Sequence, residues 1–130
     1  MKLFAAIAAV LFSAPALACA PVEGDRELVA EVPEPLRAFA RLSPMTVSQT
    51  FVMQLAFCGE EAEAVKRVSI DAIMPAHQHG MNYTPVVNPS TDGQFSVSGM
   101  VFHMPGSWQV QVTVFGEGEP RFFTLDVEIK

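Results

Sequence analysis

A two-residue alternation recurs along this chain, and a helical period does not. In Trp108-Gln109-Val110-Gln111-Val112-Thr113-Val114 the apolar residues fall at every second position. Phe123, Leu125, Val127 and Ile129 alternate in the same way with Thr124, Asp126 and Glu128. Successive side chains of a strand point to opposite faces, so this pattern marks strands with one buried face. Lys66 to Ile73 repeats it through Val68, Ile70 and Ala72, and Gln94 to Phe102 through Phe95, Val97, Gly99 and Val101. Thr46 to Phe57 is rich in β-branched and aromatic residues and reads as a further strand. Leu36 to Leu42 reads as a first strand, with a short amphipathic helix as the alternative. Met81 to Val87 is a shorter candidate, interrupted by Pro85. Gly59 to Glu63, Asn88 to Gly93, Pro105-Gly106-Ser107 and Gly116 to Pro120 supply the turns. Six to seven short strands at this spacing predict an all-β, immunoglobulin-like antiparallel β-sandwich.

With 130 residues the chain has room for one domain. Met1-Lys2, the apolar run Leu3 to Phe12 and the small-x-small triplet Ala16-Leu17-Ala18 have the layout of a cleaved secretory signal. The expected organisation is therefore a signal peptide at 1–18, an extended acidic lead-in at 19–35 and the sandwich at 36–130. A periplasmic or secreted location follows. Loss of Lys2 leaves seven Lys and Arg against fourteen Asp and Glu, a net charge of −7. Such a chain is a poor binder of nucleic acid and of anionic membranes. The Leu3 to Phe12 run is too short to span a bilayer as a helix, and no second apolar stretch is long enough. The two cysteines, Cys19 and Cys58, are expected to form a disulfide in an exported protein. Lipidation of Cys19 on an outer face is the rival expectation.

The chemistry is concentrated in one window. All three histidines (His77, His79 and His103) lie within it, together with Met74, Met81, Met100 and Met104. Imidazole and thioether are the donors that suit copper, with Met favouring Cu(I). Zinc sites seldom use thioethers, calcium and magnesium want oxygen, and a blue-copper centre needs a thiolate that this window lacks. The candidate ligands are His77, His79, Met81, His103 and Met104. Met74 is a further candidate, and Met100 has packing as its alternative role. Cu(II) on His77 and His79 is the oxidised alternative. In an extended segment His77, His79 and Met81 share one face; the alternative is that Pro75 and Gly80 bend the segment and bring the donors closer. If the strands around the Asn88 to Gly93 turn pair, residues 79–81 come opposite residues 100–104. Asp71 is a candidate oxygen ligand or outer-shell partner. An imidazole binds metal only when neutral, so affinity is expected to fall below about pH 6.5.

The strings Asp71-Ala72-Ile73-Met74-Pro75-Ala76-His77-Gln78-His79-Gly80-Met81-Asn82-Tyr83 and Gly99-Met100-Val101-Phe102-His103-Met104-Pro105-Gly106-Ser107-Trp108 resemble the YtkA-like and FixH-like group of small exported bacterial domains. The resemblance covers roughly Arg37 to Lys130. It rests on a Met-Pro-x-x-x-His-Gly-Met run followed by a Met-Pro-Gly-x-Trp turn. It implies an immunoglobulin-like sandwich and an association with copper handling or respiratory-oxidase maturation. Met74, His79, Met81 and Met104 occupy the shared positions, and His77 and His103 add donors.

Two functions fit these residues. One is a periplasmic copper-binding protein that buffers copper or delivers it to a membrane oxidase or a metallochaperone. The other is a metal-free interaction module with a Met, Pro and aromatic loop patch. No Ser-His-Asp set, Cys-His set or placed carboxylate pair is apparent, so no enzymatic activity is expected.

Overall fold

The computed structural model describes residues 21–91 and 93–130. The expected signal peptide and Cys19 lie outside them. Among the described residues ten strands form, in chain order: β1 (Arg26–Glu27), β2 (Val29–Ala30), β3 (Arg37–Leu42), β4 (Thr50–Cys58), β5 (Arg67–Met74), β6 (His79–Gly80), β7 (Val86–Pro89), β8 (Gln94–Val101), β9 (Gly106–Phe115) and β10 (Arg121–Ile129). One turn of 3-10 helix, Ala62–Ala64, joins β4 to β5. Two five-stranded sheets result, ordered β1-β3-β4-β8-β7 and β2-β10-β9-β5-β6. Every pairing is antiparallel. The order β3-β4-β8-β7 facing β10-β9-β5 is that of an immunoglobulin-like sandwich.

Seven strands have four residues or more, and β4, β5, β9 and β10 keep the alternation of the sequence. Strand β3 instead buries Ala38, Phe39 and Ala40 in succession. Strand β7 begins at Val86, later than the expected Met81 to Val87, and takes in Asn88 and Pro89 of the expected turn. The other three are two residues long and exist only through their pairing. Two of these, β1 and β2, lie in the expected extended lead-in, which edges both sheets through Arg26↔Ala40 and Phe123↔Ala30. Arg37 pairs with Glu27 and Arg41 with Asp25, which pins β1 to β3.

The inner faces are those the alternation predicts. Trp108, Val110, Val112 and Val114 of β9 are buried, as are Phe123, Leu125, Val127 and Ile129 of β10. Val68, Ile70, Ala72 and Met74 come from β5, and Phe51, Met53, Leu55 and Phe57 from β4. Strand β8 changes phase: Phe95 and Val97 point inward, and then Met100 does. Phe51 pairs with Met100 but Met53 pairs with Val97, so β8 carries one extra residue there. Gly99, at φ 74°, absorbs this bulge. The bulge puts Met100 in the core, fully buried.

The expected pairing of residues 79–81 with 100–104 across the Asn88 to Gly93 turn does not form. That turn joins β7 to β8, with Val86 opposite Ser98 and Pro89 opposite Phe95. His79 lies instead on β6, in the other sheet, paired with β5. Among the described residues no helix is long and apolar enough to cross a membrane.

Candidate metal centre

Two connections carry the histidines to one end of the sandwich. The first is the tight turn 75–78, which folds β5 back onto β6 so that Met74 pairs with His79 and Ile73 with Gly80. Pro75 cannot continue the ladder as a donor. The Met74 carbonyl accepts from both His77 N–H (3.1 Å) and Gln78 N–H (2.9 Å). Gln78 closes the turn in the left-handed region, at φ 54°. Residues 77–81 are therefore not one extended segment, and the shared-face expectation for His77, His79 and Met81 fails. A Cβ on Gly80 would lie 3.3 Å from the Ala72 carbonyl oxygen, a tight approach that favours glycine there.

The second connection, residues 102–105, crosses from β8 in one sheet to β9 in the other. It is held at three points. The Phe102 carbonyl accepts from Ser48 N–H at 2.8 Å. The Phe102 ring stacks on Trp108 at 4.8 Å. The Trp108 indole N–H donates to the Met104 carbonyl at 3.0 Å. His103 is thus anchored on both sides by groups that are themselves packed.

The three imidazoles meet here as a row. The ring centres of His77 and His79 are 5.9 Å apart, and those of His79 and His103 are 5.2 Å apart. Trp108 meets His79 and His103 edge-on at 5.9 and 5.4 Å. With metal–nitrogen bonds of about 2 Å, two imidazoles on one ion have ring centres roughly 5–6 Å apart. Each neighbouring pair falls in that range. Exposure falls along the row, His77 being exposed and His79 and His103 half-buried. The His103 Nδ1 is buried and has no hydrogen-bond partner. An unpaired buried polar atom costs about 1–3 kcal/mol, a cost that a ligand on that nitrogen removes. Among the described residues no group of three or more His, Cys, Asp or Glu is arranged to hold a metal. The imidazoles are paired in sequence along the row rather than gathered around one point.

The methionines divide. Met74 and Met100 are core residues, and the Met74 Cε lies 3.0 Å from where a Cβ on Gly106 would be. Met81 and Met104 are half-buried and packed against the core edge. Met81 also lines an open groove of ≈ 290 Å³ with Asp71, Asn82 and Tyr83. Asp71 accepts from the Ala72 N–H at 2.8 Å and lines the same groove. Cys58 is buried at the end of β4.

The YtkA-like family model matches residues 43–113. This chain belongs to the YtkA-like family. The matched stretch runs from the β3–β4 connection into β9 of the YtkA-like domain and contains every histidine and Trp108. No curated protein and no solved structure matches the chain.

Trp108 is a part of the site that donor chemistry alone does not reveal. Its indole walls two imidazoles and holds the loop that presents one of them. The sequence does carry a signal for it: an indole N–H four residues beyond the methionine of a Met-Pro-Gly turn is within reach of that turn's carbonyls.

Proposed function

We propose that this YtkA-like domain is a periplasmic copper-binding protein. It takes copper through His77, His79 and His103, with thioether support from Met81 and Met104. It buffers the ion or passes it to a receiving protein, such as a membrane oxidase or a metallochaperone. The observation that carries this reading is the row of three imidazoles ending at a buried His103 Nδ1 with no partner. The donor chemistry adds to it, since the half-buried Met81 and Met104 lie within two residues of His79 and His103 in the sequence, and thioethers favour Cu(I) over zinc. On the same reading residues 1–18 are removed on export, and Cys19 and Cys58 form a disulfide. The role is binding and transfer rather than catalysis.

Anaerobic titration with Cu(I) against a chromophoric chelator tests the proposal. The full exported chain is expected to bind tighter than micromolar, and His79→Ala combined with His103→Ala to abolish that binding. Micromolar or weaker binding by the wild type sinks it.

A second reading, a metal-free interaction module, draws on the exposed Tyr83 and Val86 beside the Met81 groove. Partner capture that persists under chelation and in the double histidine variant would favour this module over the copper protein.

A further inference from the structure

We infer that the three histidines form two adjoining copper positions that share His79. The outer position lies between His77 and His79, and the inner one between His79 and His103. An ion is carried from the surface toward the interior, and back, by exchange of a single ligand. This rests on the copper reading above and specifies how the cargo moves.

The geometry that carries the inference is a row rather than a ring. His79 is next to both other imidazoles, at 5.9 and 5.2 Å. Each distance fits a pair of imidazoles on one ion. Among the described residues no three such side chains form a group suited to one metal. Two imidazoles at these spacings meet one ion at a bent angle, so each pair leaves a place for a third donor, a thioether included.

The two ends of the row differ in kind. His77 is exposed and sits in the middle of the tight turn 75–78. His103 is half-buried, its Nδ1 is buried without a partner, and its loop is fixed by the Trp108 to Met104 hydrogen bond. The outer position is thus reached by incoming donors, and the inner one is shielded and pre-positioned. Transfer inward breaks the copper bond to His77 and forms one to a bare nitrogen of His103, while the bond to His79 persists. No oxidation change occurs.

Trp108, the one tryptophan in the chain, meets His79 and His103 at their edges. It touches both rings of the inner position and only one ring of the outer, so its fluorescence responds more strongly to an ion at the inner position. The experiment measures three things on the full chain with Cu(I): affinity against a chromophoric chelator, the rate of transfer to that chelator by stopped flow, and Trp108 quenching. His77→Ala removes the outer position: it is expected to weaken binding by up to about tenfold, less than His103→Ala does, and to slow transfer, while the quenching from the inner position is kept. His103→Ala is expected to weaken retention on the order of 100-fold, at least as much as loss of an outer-shell partner costs. It should also lose most of the quenching yet transfer quickly. His103→Gln takes its place if circular dichroism shows loss of sheet. His79→Ala should lose both positions. Equal weakening and equal loss of quenching in His77→Ala and His103→Ala would mean a single three-imidazole site and would overturn the inference. Absence of Cu(I) binding by the wild type overturns the copper reading itself, and the two positions with it.

Discussion

Two glycines separate conformational cost from steric cost. Gly99 sits at φ 74° with nothing within 4 Å of the place a Cβ would occupy, so Gly99→Ala meets only the left-handed backbone penalty. That penalty is on the order of 1 kcal/mol. Gly106 sits at φ 123°, where a side chain is disfavoured more strongly, and its Cβ would press on Met74 Cε at 3.0 Å. Gly106→Ala is expected to cost roughly 2–4 kcal/mol from backbone strain and overpacking together. Urea unfolding of the two variants checks the order. A midpoint for Gly106→Ala at or above that of Gly99→Ala contradicts it. Trp108→Phe keeps a ring against Phe102 but removes the donor to the Met104 carbonyl. The expected loss is about 1–2 kcal/mol from the unpaired carbonyl and the smaller ring. A line-broadened His103 imidazole signal by NMR should accompany it, because the loop loses one of its three anchors.

At the scale of elements, the sequence is most readable where a strand is long and half-buried. Strands β9 and β10 follow their alternation residue by residue because each keeps one face on the core throughout. Met100 is out of phase with its neighbours because a bulge at Gly99 resets the alternation, and an isolated glycine in a strand pattern is the mark of that device. The two-residue strands β1, β2 and β6 are not legible, since a pair of residues has no period and their pairing is non-local. The same limit hides how the histidines meet. Their closeness depends on β6 joining β5 while residues 102–105 cross between sheets, and no local pattern encodes that crossing.

The lead-in element has its own test. The Asp25 carboxyl is held below its usual value first by the Val22 N–H and then by Arg41, and the Glu27 carboxyl by its hydrogen bonds to Arg37. A carboxylate whose folded pKa is depressed adds stability that is full above its unfolded value, near 4. That contribution is lost as pH falls through the lower folded value. Detachment of β1 from β3 is therefore expected to begin below about pH 4.5, with no change between pH 5 and 7 from this source. Urea midpoints measured across pH 3–7 should converge for wild type and the Asp25→Asn, Glu27→Gln double variant at the acid end. Both groups are largely solvated, so the separation at neutral pH is expected to be small. Parallel curves with no convergence would place the acid sensitivity elsewhere.

At the scale of the molecule, the motif-bearing stretch and the folding unit are different things. Residues 43–113 hold all three histidines, Met81, Met104 and Trp108, which is every group assigned to the site. They exclude β3 and β10, which flank the two sheets at β4 and β9. Strand β10 alone buries Phe123, Leu125, Val127 and Ile129, and β3 buries Ala38, Phe39 and Ala40. At about 1.5–3 kcal/mol for each large side chain, the β10 quartet contributes roughly 6–12 kcal/mol. Whole domains are stable by about 5–15 kcal/mol, so the 43–113 fragment has little or nothing left to hold it folded. The site requires that fold. His79 reaches its neighbours because β5, β6 and β9 share a sheet, and that sheet buries its inner face only when β10 completes it. A peptide of residues 43–113 is therefore expected to give a disordered circular dichroism spectrum and Cu(I) affinity at least 100-fold weaker than the full chain, on the order of 3 kcal/mol. Full affinity in an unfolded fragment would show that the donors act as a flexible chelating segment and that the sandwich is not what arranges them.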